Sequence, residues 1–369
     1  MYEFDKRIVM TLDGGGTNFV FSAIQEHQEI VKSIHLPSNG HDLNLCLESI
    51  FLGFAKVKEQ LSSEPVAISF AFPGPADYAN GIIGELQNLK AFRQPIALGP
   101  ILEEKFGIPV FINNDGNLYA LGEALGGFLP EINKRLEAAE NPKRYKNLLA
   151  LTLGTGFGSG FINDGKLVWG DNGCAANIWA YRHKKFENCI TEESVGAAAI
   201  KRLYAEFSGD FESQLTPKDI FDVADGKKNG DQKAAQQAFA ELGEEAGNVI
   251  AHAISIIDGL VVIGGGISGA AKFFMPSLIR EVNSQIRKLN GDCFPRLEMK
   301  AYNLEDDIEL NEFIAPNQQY IEVLGSVKKA LYDSSKRIGI AITKLGTSRA
   351  IALGAYTFAL NKLDENKSF

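Results

Sequence analysis

Arg7–Asn18 reads RIVMTLDGGGTN. A short apolar run meets an acid, three consecutive glycines, and then Thr17 and Asn18. The run predicts a strand over Arg7–Leu12, and the glycines predict a tight turn at its end. Such a turn lets backbone N–H groups approach an anion with no Cβ in the way. Gly14, Gly15 and Gly16 are the candidate cradle, and Thr17 and Asn18 add donors. Asp13 has the same sign of charge as a phosphate. It makes sense there if Mg²⁺, or a water on Mg²⁺, lies between the two. A plain hairpin turn with glycine at positive φ accounts for the local pattern equally well.

The pattern recurs. Leu148–Thr152 predicts a strand ending at LGTGFGSG (Leu153–Gly160), which puts Gly154, Thr155 and Gly156 on a second turn. Leu260–Ile263 predicts a third strand, ending at GGGISG (Gly264–Gly269) and followed by a helix to about Lys288. This last motif formally fits G-x-G-x-x-G. The acid that a dinucleotide site wants about 20 residues on, at the end of the next strand, would instead fall inside that helix. A base or ribose packed on a glycine-bare helix start, at Gly264, Gly265, Gly266 and Ile267, fits better. Two glycine turns in two similar halves suggest two arms closing on one polyphosphate.

Between these turns, strands alternate with helices, which indicates an α/β protein. Phe19–Gln25 and Glu29–Ile34 predict strands that form a meander with the first. Leu43, Leu47, Ile50, Phe54 and Val57 give Asp42–Gln60 a helical stripe. Val66–Ala71 predicts a strand running into Pro73-Gly74-Pro75. Helices are expected over Pro100–Phe106, Asn117–Leu125, Ala234–Asp258 and Gly346–Leu360. The segment 290–340 reads as an irregular, polar insertion. NNDGN (Asn113–Asn117) ends the short strand Val110–Asn113 and opens a helix. Asp115 and Asn114 could together hold a hydroxyl and take its proton, although Asp and Asn at a helix start more often act simply as caps.

The composition narrows the function classes. The chain has 369 residues, 45% of them hydrophobic and 22% charged, with a net charge of −9. That length suggests two domains or lobes. An acidic chain without Lys/Arg blocks is a poor match for nucleic acid or an anionic membrane. There is no 18-residue apolar run and no signal-peptide pattern at the start, so a cytoplasmic protein is expected. The four cysteines are widely spread and read as free thiols.

Taken together, these motifs resemble the superfamily of sugar kinases, hexokinases and actin-like ATPases, and within it the ROK family of bacterial sugar kinases and sugar-responsive repressors. The resemblance rests on DGGGTN, FPGPADYANGIIG with QNL (Gln87–Leu89), PVFINNDGNLYALGEALGG, LGTGFGSGFINDGKLVWG, VVIGGGISGA and AIALGAYTFAL, which occur in the family's order. It implies a two-lobed actin-like ATPase (ribonuclease H-like) fold with an interlobe cleft. The small lobe would be 1–117 plus 346–369, and the large lobe 118–345. The implied activity is ATP- and Mg²⁺-dependent phosphorylation of a hexose or modified hexose. Asp115 would be the general base, and Gly74, Asn88 and Asn114 would contact the sugar. Asp13 would sit near Mg²⁺, Gly14–Thr17 and Gly154–Gly156 at phosphates, and Gly264–Ile267 at the adenosine. Family analogy also implies a homodimer. The first motif begins at residue 13, which leaves no room ahead of it for the repressors' DNA-binding domain.

The sequence departs from the family at GDNGCAANIWAYRH (Gly170–His183). Where the family has a sugar-binding Glu, then Gly and a His shared with zinc, this chain has Asn177, Trp179 and Ala180. The family's cysteine cluster is missing. Cys174, His183 and Cys189 supply at most three of the four ligands a structural zinc needs, so no zinc site is expected. Asn177 can still accept and donate one bond each, and Trp179 offers a face to a sugar ring. Glu192 is the candidate for a remaining sugar-binding acid, although an acid at a helix start is favourable for its own sake. These losses keep open a second reading, a non-catalytic sugar- or nucleotide-binding protein derived from such a kinase. A related acetate- or acyl-CoA-ATPase-type member of the same fold is a third, against which PGP and LGTGFGSG argue.

Overall fold

A computed structural model describes residues 2–14, 18–74, 76–86 and 90–365. The α/β expectation holds. The chain divides into two compact units. The first comprises 1–127, 160–176 and 345–369, and the second comprises 128–159 and 177–344.

The first unit is built on a sheet in the order Gln28–Glu29, Asn18–Gln25, Val9–Gly14, Ala67–Ala71, Val110–Asn113. Ile34–Pro37 also pairs with Asn18–Gln25. The first strand is antiparallel to Asn18–Gln25 and parallel to Ala67–Ala71. Successive side chains of a strand point to opposite faces. Met10 and Leu12 therefore join Phe21, Ile50, Phe54 and Val57 in a core under the helix Leu43–Lys58. Phe21 and Phe54 meet edge to face at 5.1 Å. Val9 joins Ala67, Leu353, Tyr356 and Leu360 in a second core under the C-terminal helix Thr347–Glu365. Asp13 lies on the same face of its strand as Val9.

The unit also holds the helix Asp115–Leu125, which packs along Thr347–Glu365. The ring of Trp169 lies 5.4 Å from that of Phe358. These contacts bring 118–127 and 160–176 into this unit.

A second sheet has the order Phe157–Asn163, Leu148–Leu153, Leu260–Gly264, Arg337–Ile342, Lys300–Asn303, with Lys166–Leu167 paired to its first strand, and its last four strands lie in the second unit. The last four strands run parallel to one another. LLALTL and LVVIG are apolar almost throughout, as strands buried on both faces must be. The helices Gln232–Ile257 and Ala271–Val282 pack together closely.

The reading of 290–340 as irregular is corrected. Lys300–Asn303 and Arg337–Ile342 are strands of the main sheet, and Asp307–Ile314 is a helix capped by Asp306. Lys300–Asn303 was hard to see because it is four residues long and only Ala301 is buried. The helix expected to reach Lys288 ends at Val282. Among the described residues, no helix is long and apolar enough to cross a membrane.

Candidate functional site

In the first unit the candidate residues gather where strands end. Asp13 and Gly14 close the first strand, opposite Val20 and Phe19. Gly14 lies tight against the neighbouring strand, where an added Cβ would come 3.4 Å from the Ala71 carbonyl. Asn18 opens the next strand. Gly15, Gly16, Thr17 and Asn88 lie outside the described residues.

The strand Val110–Asn113 delivers the NNDGN motif. The cap is Asn114, whose Oδ1 accepts from Gly116 N at 2.8 Å. Asp115 is the first helical residue rather than the cap. Its Oδ1 accepts from Gly116 N at 2.9 Å. Its carboxyl reaches solvent but is ringed by protein, so desolvation raises its pKa above the ordinary carboxylate range. The charge of Asp13 raises it further, and the backbone N–H bonds oppose the shift. Beneath it, Asn113 is fully buried and steadies the turn: its Oδ1 accepts from Asn114 N at 2.8 Å and from Asn117 Nδ2 at 3.1 Å.

Tyr78 belongs to this cluster and was not found by sequence reasoning. Its hydroxyl donates to the Phe72 carbonyl at 2.9 Å. An added Cβ on Gly74 would come 2.9 Å from that hydroxyl. Burial pushes the phenol pKa up, a hydrogen bond with Asn114 opposes the rise, and the Asp115 charge adds to it. Tyr78 thus ties Gly74, Asn114 and Asp115 together. Its place in FPGPADY carries no sequence signal of this contact.

In the second unit, Gly154–Gly156 link the strands Leu148–Leu153 and Phe157–Asn163. Gly154 N donates to Gly156 O at 3.0 Å, and Gly154 O accepts from Ala197 N at 2.9 Å. Glu192 braces this turn. Its Oε2 accepts from Phe157 N at 2.7 Å and would lie 2.7 Å from a Cβ on Gly156. Gly264 ends its strand, and Gly265 follows at φ +89° with Leu153 O 2.2 Å from where its Cβ would be. Leu153 O also accepts from Ile267 N at 2.9 Å.

Both turns open onto a cavity of about 620 Å³. Gly154, Thr155, Gly266 and Ile267 line one part of it, and Phe221, Phe239 and Lys218 another. Phe239 stacks on Phe273 at 5.9 Å, and the Lys218 ammonium sits 5.2 Å over the Phe221 ring. A glycine floor, an aromatic wall and a cation at the rim suit a planar base carrying phosphates. Gly264 and Gly265 shape this cavity from behind rather than lining it.

The loop that departs from the family is held by two buried titratable groups. His183 Nδ1 accepts from Lys185 N at 2.9 Å and Phe186 N at 3.3 Å, so its proton is on Nε2, which donates to Ser194 Oγ at 2.7 Å. Both ring nitrogens are committed to the protein. Among the described residues there is no cluster of three or more His, Cys, Asp or Glu that could hold a metal. Glu245, from the helix Gln232–Ile257, accepts from Lys184 N at 3.2 Å and Thr191 Oγ1 at 3.3 Å, and burial raises its pKa. The Glu245 carboxylate lies 3.8 Å from His183 Nδ1, but that nitrogen bears no hydrogen to share with it. Desolvation, the larger influence, lowers the His183 pKa from 6.5, with Arg202 adding to the effect. Asn177 and Trp179 are exposed on this loop.

Two expectations follow for His183. His183→Ala strands the N–H groups of Lys185 and Phe186, a loss of about 1–3 kcal/mol that thermal unfolding reads directly. His183 takes up its proton more readily unfolded than folded, because its folded pKa is depressed. Its contribution to stability is therefore present above about pH 6.5 and is lost as pH falls below that value. A titration of the melting temperature should show this slope in the wild type and not in the variant.

Comparison with known proteins agrees with this geometry. The model of the ROK family matches residues 9–307. This chain belongs to the ROK family. A crystal structure of a glucokinase from Parabacteroides distasonis is 51% identical, covers 98% of this chain and 99% of its own, and superposes with a TM-score of 0.89. A glucokinase from Thermotoga maritima is 27% identical over 73% of this chain and 86% of its own length. An N-acetyl-D-glucosamine kinase from Vibrio vulnificus is also 27% identical, over 69% of this chain and 83% of its own. The fold of this ROK protein is accordingly the two-lobed actin-like ATPase fold.

Proposed function

We propose that this ROK protein transfers a phosphoryl group from ATP to a hydroxyl of a hexose or modified hexose, with Asp115 as the general base. Its relatives make it a sugar kinase. The observation that carries the chemistry is Asp115 itself. It is a solvent-reachable carboxyl at a helix start, with a raised pKa and with Tyr78, Asn114 and Asp13 around it. A base works best when its pKa lies near the working pH, and the shift goes in that direction.

The other roles follow from position. Asn114 uses its Oδ1 as the helix cap, which leaves its amide nitrogen for the Tyr78 hydroxyl or a sugar hydroxyl. Asn88 and Gly74 are assigned to the same side of the sugar site and Asn177 and Trp179 to its other contacts, while Glu192, bonded to Phe157 N, is assigned to bracing the second glycine turn. Gly14–Asn18 and Gly154–Gly156 hold phosphates, and Gly264–Ile267 with the aromatic cavity hold the adenosine. Asp13 fits a Mg²⁺ ion, directly or through water: it is an acid on a glycine turn, and Asp115 already feels its charge. Bound there, Mg²⁺ would neutralise phosphate charge, which is most of what phosphoryl transfer asks of a protein. The acidic chain and its kinase relatives fit a cytoplasmic enzyme.

The test is an ADP-release assay across a panel that includes glucose, N-acetyl-D-glucosamine and other hexoses. Turnover with at least one sugar is expected. Binding with no ADP from any of them would favour the non-catalytic reading, which the loss of the family's Glu and His on the 170–183 loop keeps in play. Trp179→Ala should raise the KM of the preferred sugar about threefold to tenfold and leave kcat within about twofold, since a lost stacking contact is worth about 0.5–1.5 kcal/mol. An unchanged KM would remove Trp179 from the site.

A further inference from the structure

Gln318–Glu322 and Lys329–Asp333 form an isolated two-stranded hairpin in the second unit. Every residue of both strands is exposed except the half-buried Asp333. Tyr320 is 71% and Leu331 52% exposed, and Ile321, Tyr332, Leu324 and Val327 are open as well. A lone two-stranded hairpin is marginal in water and needs a third strand or a packed face. Unpaired edges and apolar faces of this kind mark a surface that another chain covers. The hairpin also lies beyond the span of the ROK family match.

We propose that this hairpin is a dimerisation arm, joining a second copy of the chain through antiparallel pairing of the two Lys329–Asp333 strands about a two-fold axis at Leu331. The alternation of the ladder selects the edge. Val323 N donates to Lys328 O, so that pair is hydrogen-bonded within the hairpin. Lys329, Leu331 and Asp333 then turn their N–H and C=O groups outward. The sequence KALYD is self-complementary in this arrangement. Leu331 faces the other copy's Leu331, and Lys329 faces the other copy's Asp333, twice by symmetry. Lys329 makes no ion pair among the described residues, and Asp333, bonded to Arg337 at 3.3 Å, keeps a partly exposed carboxylate. The other edge, QQYIE, would set Gln against Glu and has no such complementarity. The result is a four-stranded sheet with Tyr320 and Leu331 of both copies in one apolar row, since Tyr320 lies directly across from Leu331.

The full chain should sediment as a dimer at tens of micromolar. Lys329→Glu sets two like charges against Asp333 and should weaken the dimer roughly tenfold or more, because cross-strand charge pairs count and symmetry doubles them. Lys328→Glu, the same charge change in the turn, should leave the dimer intact. Lys329→Glu also faces Glu322 in its own hairpin. A cysteine variant therefore gives an independent reading. With Cys174, Cys189 and Cys293 replaced by serine, Leu331→Cys should form a disulfide-linked dimer on mild oxidation, since directly opposed residues lie within disulfide reach. Tyr320→Cys, on the other edge, should not. A monomeric wild type, a dimer indifferent to Lys329→Glu, or crosslinking at residue 320 instead of 331 overturns the assignment. The first outcome would leave the arm to a different protein, and the last would place the contact on the opposite edge.

Discussion

Asp115→Asn should lower kcat by about 10²–10⁴-fold, the range a positioned general base supplies. Sugar and ATP affinities should change little. The substitution keeps the shape of the side chain and its bond to Gly116 N and removes the basic oxygen. Stability should hold as well. An acid in the first helical turn is worth about 0.3–1 kcal/mol through the helix dipole. Desolvation and Asp13 already penalise its charge. The pH profile carries the same signature. Asp115 must be ionised to accept a proton, and its pKa is raised, so the acidic limb of kcat/KM should lie above the ordinary carboxylate range. Asp13→Asn removes the nearby negative charge and should move that limb to lower pH, alongside any loss of metal affinity. Turnover within a few-fold of wild type in Asp115→Asn would falsify the assignment.

Much of this site could be read from the sequence because its chemistry is local. Glycine turns, caps and the NNDGN motif are short-range signals, and the first strand is a continuous apolar run. The structure sharpened the motif without changing it: Asn114 took the capping role that the sequence left open between a cap and a site, and that frees Asp115. What stayed hidden depends on residues distant in sequence. Tyr78 matters because it reaches Asn114, and nothing in FPGPADY announces that contact. Glu192 was expected at the sugar, yet in the chain its nearest partner is the second glycine turn, 35 residues earlier. Lys218 and Phe221 come from a short helix whose role appears only when it folds beside Gly266. His183, first readable as a metal ligand, spends both nitrogens on its own loop. The strand Lys300–Asn303 was missed because it is four residues long and buries only Ala301, which leaves no readable alternation.

The glycines of the two helices behind Asp115 predict the largest loss of stability. A Cβ on Gly122 would lie 1.9 Å from Ala350 O, and one on Gly354 would lie 1.8 Å from Leu118 O. The obstacles are backbone atoms on opposite helices, so no rotamer change relieves them. In an exposed helix, Gly→Ala gains up to about 1 kcal/mol from propensity. Here that gain is outweighed, because the helices Asp115–Leu125 and Thr347–Glu365 must separate. Overpacking of a tight core costs about 1–3 kcal/mol and occasionally more. Gly354→Val should reach or exceed the upper end, and a loss of about 3 kcal/mol corresponds to a fall in Tm of roughly 6–12 °C for a domain of this size. The same displacement reaches the chemistry, because the first residue of the shifted helix is Asp115. Misplacing a reacting group by about 1 Å can cost 100-fold in rate. Gly122→Ala should therefore lower kcat as well as Tm, although residue 122 is two turns from the carboxylate. If Tm falls while kcat per folded molecule is unchanged, the helix crossing sets stability alone and Asp115 is positioned by its own turn through Asn113 and Asn114.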